Sequence, residues 1–174
     1  IAGAVTCIVI GLFNPEGIVI VLTSAAAASV GGTSGFAWGP PRTRVGAGDS
    51  DALNALRCAR GMIASITELN RERSSRNEPP IQVSVGLHYG QVVLGDIGLN
   101  RLEFAVIGTT VNAASRLEAL TREFGCAIVV SDALVQQARV EPNHSSTDFV
   151  SLVEQPAQTI RGLEQPVGVW TCAN

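Results

Sequence analysis

The sequence contains no lysine, and all twelve of its basic residues are arginine. Charged residues make up only 16% of the 174 positions, aromatic residues only 5%, and the formal net charge is −3. Because proteins that bind nucleic acid in general carry a basic face, this acidic balance predicts no nucleic-acid partner. The length corresponds to one domain with room for a hydrophobic core.

The chain also lacks any C-x-x-C pair. Its four cysteines, Cys7, Cys58, Cys126 and Cys172, lie far apart in the sequence, which argues against a zinc site. Three of them sit in apolar runs. We therefore expect small buried hydrophobic side chains in a reducing compartment rather than a structural disulfide.

No uninterrupted apolar run reaches the roughly 20 residues that a membrane-spanning helix requires. Residues 1–32 are very apolar, but Asn14-Pro15-Glu16-Gly17 divides them into two shorter pieces. No basic segment precedes the first piece, so a signal peptide is a poor fit. Because the chain starts at Ile1 and not at a methionine, we expect a fragment or an excised domain of a larger protein. The reducing compartment expected from the cysteines places this piece in the cytoplasm, either free or attached to a membrane through another part of the protein.

Hydrophobic patterning predicts interleaved strands and helices. Residues 4–13 indicate a buried strand, residues 16–30 fit either a helix or a strand, and residues 46–74 indicate a helix that ends at the prolines of 76–80. Further strands are predicted over 81–90, 91–98, 102–108, 126–131, 149–154, 158–163 and 167–172, with helices over 109–125 and 132–138 and a polar loop over 140–148. Tight turns between several strands favour an α+β fold with an antiparallel or mixed sheet.

The predicted helix at 109–125 carries a polar pair. Asn112 and Arg116 are four residues apart, so they share one helix face about one turn apart, and the three residues between them are small. Farther along the same helix, Glu118 is expected to pair with Arg122. Without its context, the Asn112 and Arg116 pair is typical of the solvent-facing side of an ordinary helix.

Residues 83–135 resemble the second half of a class III adenylate/guanylate cyclase catalytic domain. The segments that carry the resemblance are G-L-H-x-G (86–90), V-V-L-G-D-I-G (92–98), F-A-V-I-G-T-T-V-N-x-A-S-R-L-E (104–118) and I-V-V-S-D (128–132). The tail TIRGLEQPVGVW (159–170) is similar to the closing strands of that family. We therefore interpret 1–174 as a single cyclase domain that matches well over 45–172 and diverges over 1–44.

The resemblance implies a ferredoxin-like α+β fold that works as a head-to-tail homodimer or heterodimer, with active sites shared between subunits. It also implies the cyclisation of ATP or GTP, in which the ribose 3′-oxygen attacks the α-phosphate and pyrophosphate leaves. In the family, two aspartates hold Mg²⁺ or Mn²⁺ ions, which activate the attacking oxygen and stabilise the leaving group.

The same resemblance assigns roles to individual residues. Asn112 would orient the ribose, and Arg116 would stabilise charge on the phosphate, a task that suits a planar, permanently charged guanidinium. Ala105, Ile107 and Gly108 would border the substrate, and Ala105 replaces an aspartate or threonine that contacts the base. Arg161 lies near the position of a phosphate-binding lysine; the alternative is an ordinary surface arginine.

The first part of the chain departs from the family pattern. Gly11 stands where the first metal-binding aspartate is expected, and 31–41 lacks the turn with the second aspartate and a base-contacting lysine. No aspartate occurs before Asp49, and we interpret Asp49 and Asp51 as caps of the following helix. We therefore identify no metal ligands of this chain's own.

These departures leave three hypotheses. The chain is a cyclase domain whose site is completed by a partner that supplies the aspartates, or it is a degenerate cyclase-like domain for regulation or dimerisation. The third hypothesis is a normal cyclase whose residues 1–44 are mistranslated or truncated. On its own, this chain is expected to have weak cyclase activity or none.

Overall fold

The computed structural model describes residues 2–13, 18–23, 51–97, 103–107, 109–161 and 163–172. Its strands are β1 (Ala2–Phe13), β2 (Ile18–Thr23), β3 (Gln82–Ile97), β4 (Glu103–Ile107), β5 (Ile128–Ser131), β6 (Leu152–Gln158) and β7 (Val167–Cys172). Its helices are α1 (Asp51–Ser75), α2 (Thr109–Phe124) and α3 (Asp132–Val140), and a 3-10 helix follows at Ser146–Asp148.

The strands form one mixed sheet in the order β2-β1-β3-β5-β7-β6, and β4 pairs with the far end of β3. The central strand β3 pairs antiparallel with β1 along its first twelve residues and parallel with β5 at Val85–Leu87. The remaining pairs are antiparallel. The predicted α+β fold with a mixed sheet flanked by helices is therefore confirmed.

The amino-terminal strands follow the predicted pattern where the structure describes them. The strand at 4–13 is confirmed within β1, and the strand alternative for 16–30 is confirmed over Ile18–Thr23. The register places Gly11 between Val19 of β2 and Ser84 of β3. The divergent segment 31–41 and the proposed cap Asp49 lie outside the described residues.

One correction concerns residues 81–98, where two strands were expected. The structure shows a single strand, β3, because Gly90 and Gln91 continue the ladder opposite Val5 and Ala4 of β1. Gly90 looks like a turn signal in the sequence, yet its role is packing. A Cβ at this position would lie 2.8 Å from the hydroxyl oxygen of Thr110 on α2.

A second correction concerns the strand predicted over 158–163. Only Gln158 belongs to a strand, as the last residue of β6. Ile160 is instead buried in an apolar cluster with Leu117 and Val169, and the N–H of Leu163 donates to its carbonyl in a turn. The apolar residues of this connection thus reflect burial rather than sheet pairing.

The helices cover both faces of the sheet. α1 and α3 pack on one face, around Leu53, Leu56, Leu87 and Leu134, while Leu117 of α2 belongs to the separate cluster on the other. No helix within the described ranges is both long enough and apolar enough to span a bilayer.

The structure describes the side chains of three of the four cysteines. Cys58 and Cys126 are partly buried, Cys172 is buried, and all are free. Burial raises the pKa of the Cys58 and Cys126 thiols, which keeps them protonated and unreactive.

The amino-terminal end of α1 is held by polar contacts from the far end of α3. The buried carboxylate of Glu141 accepts hydrogen bonds from the backbone N–H groups of Ala52 (3.0 Å) and Leu53 (2.8 Å). Two turns into the helix, Arg57 donates from Nε and Nη2 to the two carboxylate oxygens of Asp148, both at 2.8 Å. The two bonds to Glu141 satisfy helix-end donors that would otherwise be unpaired, and the Arg57–Asp148 pair joins α1 to the 3-10 helix.

Candidate active site

The position of α2 is set by glycines on the strand beneath it. A Cβ at Gly86 of β3 would lie 2.2 Å from the carbonyl oxygen of Ala114 and 2.4 Å from the backbone nitrogen of Glu118. No side chain fits in that space, so the glycine lets the helix backbone rest directly on the sheet. Gly90 allows the same close approach at Thr110, one turn toward the start of the helix.

This docking divides α2 into two faces. The face toward the sheet buries Thr110, Ala113, Ala114, Leu117, Glu118 and Thr121. The opposite face exposes Asn112, Ser115, Arg116 and Ala119. The helical spacing inferred from the sequence is therefore confirmed: the carboxamide and the guanidinium lie on one face, away from the core.

The connection between β6 and β7 brings a second guanidinium to the same place. Ile160 is only 3% exposed and anchors this connection against α2 and the sheet. The next residue, Arg161, is exposed and, together with Asn112 and Arg116, lines a cavity of about 530 Å³. Thr109, Ser115 and Ala119 complete the lining.

The two cavity arginines differ from the others in their bonding. Neither Arg116 nor Arg161 has a hydrogen bond or an ion pair to any described residue. The other arginines whose side chains the structure describes all have carboxylate, carbonyl, hydroxyl or aromatic partners. They are Arg57, Arg60, Arg71, Arg73, Arg76, Arg122 and Arg139. Among the described residues, nothing compensates these two positive charges of the cavity, and such an arrangement is suited to an anion.

Thr109 and Ser115 are lining residues that the sequence interpretation missed. Their hydroxyls add hydrogen-bonding groups to the cavity beside Asn112 and Arg116. The helical spacing could have identified them, because both lie three residues from Asn112 and so share its side of the helix. The expected pair of Glu118 and Arg122 is confirmed, with 3.6 Å between carboxylate and guanidinium.

The other predicted substrate-binding residues lie just before this helix. Ala105 and Ile107 belong to β4, opposite Gly95 and Val93 of β3. Gly108 lies outside the described residues. Because β4 ends two residues before Thr109, the strand leads directly to the cavity. Of the substrate-binding set, the structure thus places Arg161 in the cavity with Asn112 and Arg116.

The described residues around the cavity do not fit a pair of divalent cations. Mg²⁺ and Mn²⁺ prefer carboxylate and other oxygen ligands, but β1 and β2 contain no aspartate or glutamate. Within the described parts of the chain, no group of three or more His, Cys, Asp or Glu residues could hold a metal ion. Metal-dependent chemistry at this cavity would therefore need ligands from elsewhere.

A second, more open cavity of about 430 Å³ adjoins the first at Thr109 and extends between His88 and the segment 163–167. Nδ1 of His88 is buried and has no hydrogen-bond partner among the described residues. Burial lowers the pKa of His88, which favours the neutral imidazole. A neutral, partly buried ring agrees with a structural role for this residue.

Comparison with known proteins identifies similar sequences. The family model for the adenylate and guanylate cyclase catalytic domain matches residues 37–156. An adenylate cyclase from Anabaena cylindrica is 30% identical over 127 residues, which cover 70% of this chain and 24% of that protein. The chain thus spans about a quarter of the length of this relative.

Solved structures share the fold at low sequence identity. The guanylyl cyclase Cya2 matches with a TM-score of 0.66 and 19% identity, covering 99% of this chain and 93% of that chain. The guanylate cyclase domain of RhGC from Catenaria anguillulae, solved in complex with GTP, matches with a TM-score of 0.59 and 16% identity. That match covers 98% of this chain and 96% of the Catenaria chain.

Proposed function

Because the chain belongs to the family of adenylate and guanylate cyclase catalytic domains, we propose that it provides half of a nucleotidyl cyclase site. The reaction is the conversion of ATP or GTP into a cyclic nucleotide and pyrophosphate, a phosphorus–oxygen lyase reaction of cyclic-nucleotide signalling. The observation that carries the proposal is the cavity in which Asn112, Arg116 and Arg161 meet. We place the domain in the cytoplasm, where both nucleotides and reduced thiols occur.

Each of the three side chains has a chemical task in this proposal. The carboxamide of Asn112 both donates and accepts hydrogen bonds, so it can orient the ribose for attack. Arg116, one helical turn away, stabilises negative charge that builds on the α-phosphate oxygens. Arg161 approaches from the β6–β7 connection and binds the phosphates that leave as pyrophosphate.

The bond changes explain why fixed positive charge is useful. The ribose 3′-oxygen forms a bond to the α-phosphorus and loses its proton, while the bond from that phosphorus to the bridging oxygen of pyrophosphate breaks. Negative charge therefore develops on the transferred phosphate and on the leaving group. Arg116 and Arg161 carry permanent charges on an anchored helix and loop, so they stabilise this charge with little reorganisation.

Related domains use Mg²⁺ or Mn²⁺, and a bound metal would activate the 3′-oxygen and stabilise the leaving pyrophosphate. We propose that the carboxylates for such ions come from a second cyclase domain across a dimer interface. Gly11 on β1 and the absence of any aspartate before Asp49 support this division of the site. A heterodimer would then be active, and a homodimer of this chain would be weak.

The relatives of this chain differ in the nucleotide that their names give. The Anabaena relative is an adenylate cyclase, whereas the Catenaria domain was solved with GTP. Ala105 has no group that can hydrogen-bond a purine edge, so this chain contributes little to base discrimination at that position. We therefore expect similar kcat/KM values for ATP and GTP unless the partner domain discriminates between them.

The test is a complementation assay. The purified chain is incubated with Mg²⁺ or Mn²⁺ and ATP or GTP, alone and with a cyclase domain that keeps both aspartates but lacks its own asparagine and arginine. Product only in the mixture supports the proposal. Product from this chain alone would contradict the division of the site, and nucleotide binding without product in the mixture would favour a regulatory domain.

A further inference from the structure

The charge of the cavity bears on how its ligand arrives. Arg116 and Arg161 contribute two guanidiniums without any described partner, and no acidic residue is among the described residues that line the cavity. The first turn of α2 also lacks acidic residues, so its backbone N–H groups and dipole add positive potential beside Thr109. The site is thus electropositive throughout its described lining.

A divalent cation would oppose binding at such a site. Pyrophosphate and the triphosphate tail of a nucleotide carry several negative charges, and a bound Mg²⁺ neutralises two of them. In a site with paired carboxylates, attraction between the carboxylates and the metal compensates for the neutralised charge of the anion. This cavity contains no described carboxylate that could do so. Its attraction for the anion therefore falls when the anion carries the metal.

We propose that this chain by itself binds a metal-free polyphosphate, either pyrophosphate or the tail of ATP or GTP, and that Mg²⁺ weakens this binding. The inference rests on the proposed function for the identity of the ligand but concerns a separate property, the sign of the metal dependence. In the assembled site, carboxylates of the partner would reverse that sign. Metal dependence of binding then distinguishes the isolated chain from the complete dimer.

The experiment is a calorimetric titration of the isolated chain with sodium pyrophosphate, first in EDTA and then in excess Mg²⁺ with the ionic strength held constant. We expect saturable binding in EDTA and a Kd at least about tenfold higher in Mg²⁺. ATP should follow the same order, and adenosine, which has no phosphate, should not bind. Absence of binding in EDTA, or equal or tighter binding in Mg²⁺, would overturn the proposal.

Variants assign the effect to the cavity. Arg116→Ala and Arg161→Ala should each raise the Kd for pyrophosphate in EDTA by about tenfold or more, because each removes charge-assisted hydrogen bonds. Arg71→Ala is the matched control, since it removes the same charge from the exposed side of α1. An equal loss in all three variants would show nonspecific charge attraction and would contradict the cavity as the site.

Two readouts keep this result separate from catalysis. Thermal unfolding should be unchanged in the cavity variants because both arginines are exposed, so a loss of binding would not reflect misfolding. Turnover in the complementation assay measures the proposed function. If Mg²⁺ weakens pyrophosphate binding to the isolated chain but the mixture is inactive, only the proposed cyclase function is contradicted. If the mixture is active but Mg²⁺ strengthens pyrophosphate binding to the isolated chain, only this inference is contradicted.

Discussion

Gly86 of β3 and Ala114 of α2 meet through their backbones, so closely that a Cβ at Gly86 would lie 2.2 Å from the Ala114 carbonyl oxygen. Gly86→Ala must therefore push α2 away from the sheet. We expect a loss of about 1–3 kcal/mol in the free energy of unfolding, typical of overpacking, measured by urea denaturation. Activity in the complementation assay should fall as well, since Asn112 and Arg116 move with the helix.

Gly61→Ala is the control for that substitution. Gly61 lies on the exposed side of α1, and a Cβ there meets no atom within 4 Å. This change should raise the free energy of unfolding by about 0.5–1 kcal/mol, because alanine favours the helix more than glycine does. If both alanine variants behaved alike, the contact between β3 and α2 would not be responsible for the position of the helix.

Glu141 is predicted to stabilise the start of α1. Its carboxylate accepts hydrogen bonds from the N–H groups of Ala52 and Leu53 at a point only 3% exposed to solvent. Glu141→Ala leaves these donors unpaired and should lower the free energy of unfolding by about 1–3 kcal/mol in urea denaturation. Glu123→Ala removes the same charge at an exposed position of α2 and should change the free energy of unfolding by less than about 0.5 kcal/mol.

The Arg57–Asp148 pair predicts a pH dependence of stability. Hydrogen bonds from Arg57, and then from the backbone N–H of Ser145, lower the pKa of Asp148 from 3.8 to about 2. Because the folded pKa lies below the unfolded one, this stabilisation is complete above about pH 5 and is lost as the pH falls toward 2. Urea denaturation at several pH values should show this loss.

Asp148→Asn tests whether Asp148 is the source of this pH dependence. The variant should be less stable by about 1–2 kcal/mol at pH 7, because one carboxylate oxygen becomes an NH2 group that cannot accept a hydrogen bond and the remaining bond to Arg57 is charged on one side only. Below about pH 5 its stability should fall less steeply than that of the wild type. Glu154 is an exposed carboxylate on β6 without a described hydrogen-bond partner, so Glu154→Gln should keep the wild-type dependence of the free energy of unfolding on pH. If Glu154→Gln changed this dependence as much as Asp148→Asn does, Asp148 would not be its source.

The sequence predicts local features of this domain well and long-range ones poorly. α2 follows from its helical period and from Gly125, which ends it with φ at +62°. Asn112 and Arg116 follow from spacing and family resemblance. For Arg161 the resemblance left two alternatives, a phosphate-binding residue or an ordinary surface arginine, because its position depends on the burial of Ile160 beneath a helix far away in the chain.

The errors have a similar origin. Gly90 has the local signature of a turn, but the close approach of Thr110 explains its absent side chain and lets β3 continue. Residues 158–163 are predicted as a strand from the sequence, but Ile160 is apolar because it is buried in a connection. In both cases tertiary packing, which no local window contains, determines the structure.

The most direct test of the proposed site is the initial rate of cyclic nucleotide formation in the complementation assay with Arg116→Ala. Removing a guanidinium that stabilises transition-state charge should lower kcat by about a hundredfold or more. Arg122→Ala on the same helix, whose wild-type side chain lies toward Glu118 and outside the lining of the cavity, should keep most of the activity. A full rate for Arg116→Ala would contradict the assignment of the α2 face to the active site.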